Sequence, residues 1–243
     1  MERVLEKIVA ASRRELALRK TAVPAAELER KLDGLPPVRD FRAALTAPGM
    51  QVIAELKAAS PSKGIIRQPL EVEALAVELE RSGAAALSVL TERNYFLGGL
   101  ENLERARKVV ELPLLRKDFI YDEYQILEAR AAGADAVLLI AAMLVPAEYR
   151  RLQKFAESLG LAVLSEAHTA GEIAMLLDNG ASIVGVNARN LSTFATDLGV
   201  VAELMGRIPA DKVRVSESAL KSSPRSFLDI STSTRSLKRL KGF

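Results

Sequence analysis

An eight-stranded (β/α)8 barrel with an extra N-terminal helix is the α/β architecture this sequence predicts, and three observations carry that expectation. Short apolar runs, rich in β-branched residues or leucine, recur seven times between residues 50 and 218. Amphipathic stretches of helical length separate them, and glycine repeatedly stands where such a stretch hands over to the next run. Strands joined by crossover helices make a parallel sheet covered on both faces. Seven units in a chain of 243 residues favour a closed barrel, for which roughly 250 residues is typical, over a doubly wound open sheet.

Residues 2–19 read as an amphipathic helix ahead of the first strand, and residues 20–50, with Pro24, Pro36, Pro37 and Pro48, as an irregular lead-in. The strands fall at VIAEL (52–56), AALSVL (85–90), LPLLR (112–116), DAVLLI (135–140), LAVLSE (161–166), SIVGV (182–186) and KVRVS (212–216). Helices are expected near 70–82, 100–110, 122–132, 146–159, 169–179 and 197–206. Gly83, Gly133, Gly160 and Gly180 mark helix stops. Thr169 and Glu172 have the spacing of a capping box that opens the helix after the fifth strand.

The count then runs short. After Ser218 only 25 residues remain, eight of them apolar and six serine, and the only glycine is Gly242. FLDIS (227–231) has strand composition but comes early for an eighth strand. The chain therefore divides into a barrel body, 1–218, with an N-terminal extension, 1–50, and a basic, serine-rich tail, 219–243. The tail stands where a normal eighth unit would be, so that unit is atypical or incomplete.

With 49% hydrophobic and 27% charged residues, the composition excludes disordered, collagen-like and membrane-spanning chains. Cysteine is absent, so disulfides, thiolate metal sites and a cysteine nucleophile are excluded too. A single histidine, His168, leaves proton chemistry mainly to carboxylates and lysines. The opening MERVLEKIVAASRREL lacks the apolar core of a signal peptide, which makes the cytoplasm the expected compartment. The net charge of +3 is the tail's: residues 219–243 carry +5, which leaves −2 for residues 1–218. With aromatics at 5% and no Trp, neither a basic face nor a stacking platform for nucleic acid is indicated.

In a parallel barrel the loops after the strands share one face, and function concentrates there. Strand one ends in Glu55, Leu56 and Lys57, and alternation puts Glu55 and Lys57 on one side. Strand three ends in Arg116, Lys117, Asp118 and Phe119, strand five in Glu166, strand six in Asn187 and Arg189, and strand seven in Glu217 and Ser218. Closely spaced, partly desolvated groups of both signs give an enzyme acids and bases near neutral pH without histidine. Each also has a plainer reading. A lone Glu or Lys at a strand end is usually a solvated rim residue, and Lys117 between Arg116 and Asp118 reads as a surface ion-pair cluster of little energetic worth. His168 reads as a group that orients the loop after strand five, and Gly98-Gly99 as a turn. The spread of such groups over five strand ends is what points to an enzyme.

The same residues carry a family resemblance. VIAELKAASPSKGIIR (52–67) resembles the signature of indole-3-glycerol phosphate synthase. LSVLTERNYFLGGLENLERAR (87–107), LPLLRKDFIYDEYQILEARAAGADAVLLI (112–140), EAHT (166–169), VGVNARNLSTFATDL (184–198) and VSES (215–218) continue it in order. The resemblance implies a (β/α)8 barrel with an added N-terminal helix and no metal or organic cofactor. It implies a carbon–carbon lyase of tryptophan biosynthesis whose substrate is 1-(o-carboxyphenylamino)-1-deoxyribulose 5-phosphate. That molecule closes a five-membered ring and loses CO₂ and then water. Lys117 resembles the general acid of ring closure. Glu166, Lys57 and Glu55 are the candidates for the acid and base of dehydration, with interchangeable roles. Asn187 and Glu217 would orient substrate and catalytic groups, and Arg189 would face the anthranilate carboxylate. Phe119, Leu138 and Leu191 would line an apolar slot for the aromatic ring.

The resemblance also implies a phosphate site built from Lys57, Ser60, Ser218 and backbone N–H groups after strands seven and eight. Here Ala219 stands where glycine is expected, and the glycine-bearing segment after strand eight is not recognisable. The partners expected are the phosphosugar–anthranilate substrate, with neither nucleic acid nor membrane. Monomer and weak homo-oligomer are both open, as is a tryptophan-pathway partner. The competing reading is a remodelled barrel that binds a phosphosugar or a partner chain without turnover. An unpaired edge on the seventh strand would favour it.

Overall fold

The computed structural model describes residues 4–187, 198–217 and 230–233. Seven parallel strands follow in chain order: β1 (Gln51–Leu56), β2 (Ala86–Leu90), β3 (Leu114–Lys117), β4 (Ala136–Ile140), β5 (Ala162–Ala167), β6 (Ile183–Asn187) and β7 (Val213–Glu217). An eighth strand, β8 (Ile230–Ser233), lies between β7 and β1 and closes the barrel. It runs antiparallel to both: Ile230 is level with Ala54, Thr232 pairs with Val52 and Ser216, and Ser233 pairs with Gln51 and Val215. The edge anticipated on the seventh strand is therefore covered. A parallel eighth strand needs a crossover of a dozen or more residues, usually helical, and one further helix to cover it. An antiparallel return closes the sheet with less chain. FLDIS overlaps β8 at Ile230 and Ser231, and residues 227–229 lie outside the described residues. The atypical eighth unit thus takes the form of a reversed strand.

The extension is more regular than its prolines suggest. Helix α1 (Val4–Ala22) is followed by α2 (Ala25–Leu32) and α3 (Phe41–Thr46). Pro24 is the N-cap of α2, Pro36 and Pro37 separate α2 from α3, and Pro48 follows α3. The prolines punctuate helices here rather than abolish them. Phe41 and Leu45 of α3 pack with Ile53, Leu115, Ile183 and Val213, which plugs the barrel at the strand-start end. Leu16 of α1 and Leu28 of α2 pack against Tyr124 and Leu127.

The crossover helices are α4 (Val72–Arg81), α5 (Leu100–Arg107), α6 (Glu123–Ala131), α7 (Pro146–Ser158), α8 (Ala170–Asp178) and α9 (Leu198–Gly206). Gly133 and Gly180, at φ +87° and +90°, end α6 and α8 in the left-handed region that other residues avoid. Thr169 caps α8 by accepting from the Glu172 N–H at 3.2 Å, while the Glu172 carboxylate reaches the His168 N–H at 2.6 Å. Alternation sorts the strand residues into two cores. Leu87, Val89, Leu114, Val137, Leu139, Val184 and Val186 face the helices. Ile53, Leu115, Ala136, Leu138, Ile140, Leu164, Ile183 and Val215 fill the barrel. At roughly 25 cal/mol per Å² of apolar surface, both cores strongly favour this register. Among the described residues no helix is long and apolar enough to cross a membrane.

Candidate active site

Since inward positions alternate, the layer above the barrel core is set by the residues at strand ends, and those residues are charged. Glu55 and Lys57 end β1, Lys117 ends β3, Glu166 lies near the end of β5, and Asn187 and Glu217 end β6 and β7. Lys117 Nζ donates to Glu55 Oε2 at 2.8 Å and to Glu217 Oε2 at 3.2 Å. Lys57 Nζ donates to Glu55 Oε1 at 2.5 Å. Asn187 Nδ2 donates to Glu166 Oε1 at 3.2 Å. The six expected catalytic side chains are thus brought to one mouth and share partners across it.

Burial and charge pull these groups apart in acidity. Burial would raise Glu55, but the ammonium groups of Lys117 and Lys57 outweigh it and hold the carboxyl down at about 2. Burial alone would lower Lys117, but Glu55, Glu217 and Glu166 outweigh it, so the ammonium is held well above the usual lysine range. Glu217 goes the other way. Burial and the facing carboxylate of Glu166 push it up to about 8, against the pull of Lys117. At neutral pH the mouth therefore holds an ionised Glu55, a charged Lys117 and a Glu217 that carries a proton. His168 stands beside this layer, with Nε2 3.4 Å from Glu166 and Nδ1 3.7 Å from Glu172. Burial disfavours its charge, but the two carboxylates more than compensate and raise its pKa.

The aromatic side of the mouth belongs to the loop after β3. Phe119 packs on the inner core that contains Leu138, and Leu138 lies one inward position below Ile140, the partner of Glu166. Phe96, which the sequence reading did not single out, joins Phe119 with ring centroids 6.1 Å apart and a tilt of 41°. The Ala59 N–H donates to the Phe96 carbonyl at 3.2 Å, which ties that ring to the β1 loop. Gly98 does more than make a turn: a Cβ there would lie 2.3 Å from the Leu90 carbonyl oxygen, so only glycine permits the approach. Ser60 is buried in a two-residue ladder formed by Ala59–Ser60 and Gly64–Ile65, and its Oγ accepts from the Lys63 N–H at 3.3 Å. Arg189, Leu191 and Ser218 lie outside the described residues. No three His, Asp or Glu side chains among the described residues are grouped so as to hold a metal ion.

The plainer reading of Lys117 does not hold. Arg116 and Asp118 do not form a surface cluster with it: Arg116 is 1% exposed and Asp118 6%. Strand alternation points them away from the mouth, between the sheet and α6. There Arg116 donates to Asp118 Oδ2 at 2.9 Å, to Thr91 Oγ1 at 3.1 Å, to Glu128 and to the Gln125 carbonyl oxygen. Asp118 also accepts from Thr91 Oγ1 at 2.6 Å, and Arg19 of α1 donates to Glu128 at 2.7 Å. Buried charges of this kind are expensive to leave unpaired, unlike the exposed pairs they were read as.

The sequence model of the indole-3-glycerol phosphate synthase family matches residues 5–227. The chain is 48% identical over 225 residues to the indole-3-glycerol phosphate synthase of Koribacter versatilis (strain Ellin345), covering 91% of this chain and 86% of that one. It is 43% identical over 221 residues to the enzyme of the same name from Alkaliphilus metalliredigens (strain QYMF), with 90% and 85% covered. Identity to the Aromatoleum aromaticum relative is 45% over 224 residues, covering 90% and 86%.

Proposed function

This chain belongs to the indole-3-glycerol phosphate synthase family, and we propose that its mouth performs that reaction with Lys117 as the acid of ring closure. The reaction converts 1-(o-carboxyphenylamino)-1-deoxyribulose 5-phosphate into indole-3-glycerol phosphate, CO₂ and water. The observation that carries the assignment is the Lys117 ammonium, held between Glu55 and Glu217 within reach of the Phe119 side of the mouth. Attack of the aromatic carbon on the ketone puts negative charge on the ketone oxygen. An ammonium held in a partly desolvated site stabilises that charge and delivers a proton to it. Phe119 and Leu138, together with Phe96, supply the apolar surface that turns the aromatic carbon toward the ketone.

Dehydration needs a proton for the departing hydroxyl and a base for the ring proton. In the free enzyme Glu55 is a weak base because two ammonium groups hold its charge. Once Lys117 has given up its proton, one of those groups is neutral, and Glu55 becomes a stronger base as the second step begins. Lys57, hydrogen-bonded to Glu55, is then the adjacent donor. Glu166 is the other candidate, beside a Glu217 that carries a proton at neutral pH. Asn187 orients Glu166. Arg189 and Leu191 are assigned to the anthranilate carboxylate and the ring slot, and Lys57, Ser60 and Ser218 to the phosphate. Large exposed apolar side chains such as Leu18, Ile65, Val109 and Val145 are scattered over separate elements, which supports a monomer or a weak homo-oligomer.

The reversed β8 favours weak substrate binding. A parallel eighth strand would end at the mouth and open a helix there, whose first N–H groups suit a phosphate dianion. β8 instead runs away from the mouth and ends at Ser233, level with Gln51. Indole fluorescence appearing from the open-chain substrate tests the function directly, and with no Trp the background is low. Turnover with a high KM is expected. A version carrying a glycine-rich, family-like eighth unit after Ser218 should lower KM with little change in kcat. No fluorescence from the chain would overturn the catalytic reading, and equal kcat/KM in the two versions would show that the tail already completes the site.

A further inference from the structure

Three positions of β6 face the barrel: Ile183, Gly185 and Asn187. Gly185 has no conformational need to be glycine, since it is not among the residues with left-handed φ. Its need is space. A Cβ built on it would lie 2.5 Å from Glu217 Oε1 and 3.4 Å from Leu164 Cδ1. Gly185 is paired with Glu166 of β5 on one side and with Val215 of β7 on the other. Glu217, the next inward residue of β7, therefore leans across β6 over the bare backbone, toward β5. Its Oε2 accepts from Lys117, while its buried Oε1 has no donor. What it meets across Gly185 is another acceptor, the Glu166 carboxyl.

We propose that Gly185 is a positioning residue of this active site: by omitting a side chain, it lets the carboxyls of Glu217 and Glu166 meet across β6 and hold one proton between them. Two buried carboxylates in contact repel unless a proton lies between them, so the missing donor and the missing side chain have a single explanation. The charged neighbours of the pair are Lys117 from β3, Glu55 behind that lysine, and His168 from the loop after β5. The Lys117 ammonium limits how far the shared proton is retained, His168 acts in the same sense when protonated, and Glu55 offsets part of that charge. The result is a proton-bearing carboxyl beside the acid of ring closure, in a site with only one histidine. The catalytic meaning of this pair rests on the proposed reaction, but its existence does not.

The test uses the full chain with Gly185→Ala, Glu217→Ala and the double variant. Infrared spectra of the free protein should show a carboxylic-acid band at pH 7 that fades as pH rises through about 8. That band should be missing at pH 7 in both single variants. Gly185→Ala should lower kcat by about 100-fold, the scale of a misplaced catalytic group, with KM little changed. The double variant should be no slower than Glu217→Ala alone, because the methyl group acts only by displacing Glu217. If Gly185→Ala does not fold, the double variant should fold, since the carboxyl that the methyl would strike is gone. Multiplying losses, a double variant that stays unfolded, or a wild-type chain without the acid band would each overturn the proposal. A wild-type chain that shows the band but no turnover would count against the proposed reaction and leave this pair standing.

Discussion

The two sides of β3 carry ion clusters made of neighbouring residues, and they are built to opposite ends. On the outer side Arg116 is enclosed by Asp118, Thr91, Glu128 and a backbone carbonyl, so each charge has a partner and no solvent reaches it. On the inner side Lys117 reaches two carboxylates and shares one of them, Glu55, with Lys57, one oxygen of Glu217 lacks a donor, and the acidities of Glu55 and Glu217 are driven in opposite directions. A satisfied buried cluster holds geometry, whereas an unevenly satisfied one keeps protons available. One residue of strand alternation separates the two. The outer cluster holds the strand end from which the inner lysine projects, and through Glu128 it is tied to Arg19 of α1.

The comparison breaks most visibly at Arg116. Arg116→Met leaves Asp118 buried without its cation and Glu128 with Arg19 alone, and should cost about 3–5 kcal/mol of folding stability. Denaturant unfolding measures this, and a loss below about 1 kcal/mol would return the cluster to the class of exposed pairs. Lys117→Met should do the reverse, lowering turnover by about 100-fold or more, the scale of a lost general acid, with a far smaller effect on stability. A well-folded Lys117→Met protein with an intact rate would remove this lysine from the mechanism. Glu166→Gln should lose turnover to a similar or smaller degree. Rapid-quench analysis should then find a ring-closed, decarboxylated intermediate, and unchanged single-turnover kinetics would exclude Glu166 from dehydration.

The smallest effect is on stability as pH changes. Glu217 is raised to about 8 by burial and Glu166, so the folded chain keeps a proton there that the unfolded chain has released above its ordinary carboxyl pKa. Its contribution is fully present below that ordinary value and is lost as pH rises through about 8. Glu55, held down at about 2, has the opposite sign: its contribution is present above the ordinary carboxyl range and is lost as pH falls through about 2. Urea midpoints between pH 5 and 9 should therefore fall with pH in the wild type and fall less steeply in Glu217→Gln, where only the raised His168 still contributes in the same sense. Parallel curves would mean that Glu217 is ionised throughout.

Much of this was legible along the chain because alternation and periodicity are properties of local geometry. The runs near 52, 85, 112, 135, 161, 182 and 212 became strands within two residues of their expected bounds, and Glu55, Lys57, Lys117, Glu166, Asn187 and Glu217 share a mouth because each lies at an inward position. Gly133 and Gly180 stop their helices as expected. The prolines of the lead-in misled, since a six-residue helix such as α3 gives too few turns for a periodic signal, and Phe41 and Leu45 are recognisable as a plug only against the barrel they close. Arg116 and Asp118 misled for a related reason. Charge in a sequence does not say whether a helix will cover it, and α6 covers these.

What the sequence by itself determined was the parallel order of seven strands, the side of the sheet on which each side chain stands, and the chemical types gathered at the strand ends. Only the tertiary structure decided which of those groups meet, since Lys117 and Glu217 are 100 residues apart and touch because β3 and β7 curve around one axis. It also decided the direction of β8. Seven twisted strands leave a gap of one strand, and a four-residue segment fills it in whichever sense the connecting chain can reach. The vacancy over Gly185 belongs to the same class. A glycine in a strand means little until closure brings a carboxyl from the next strand across it.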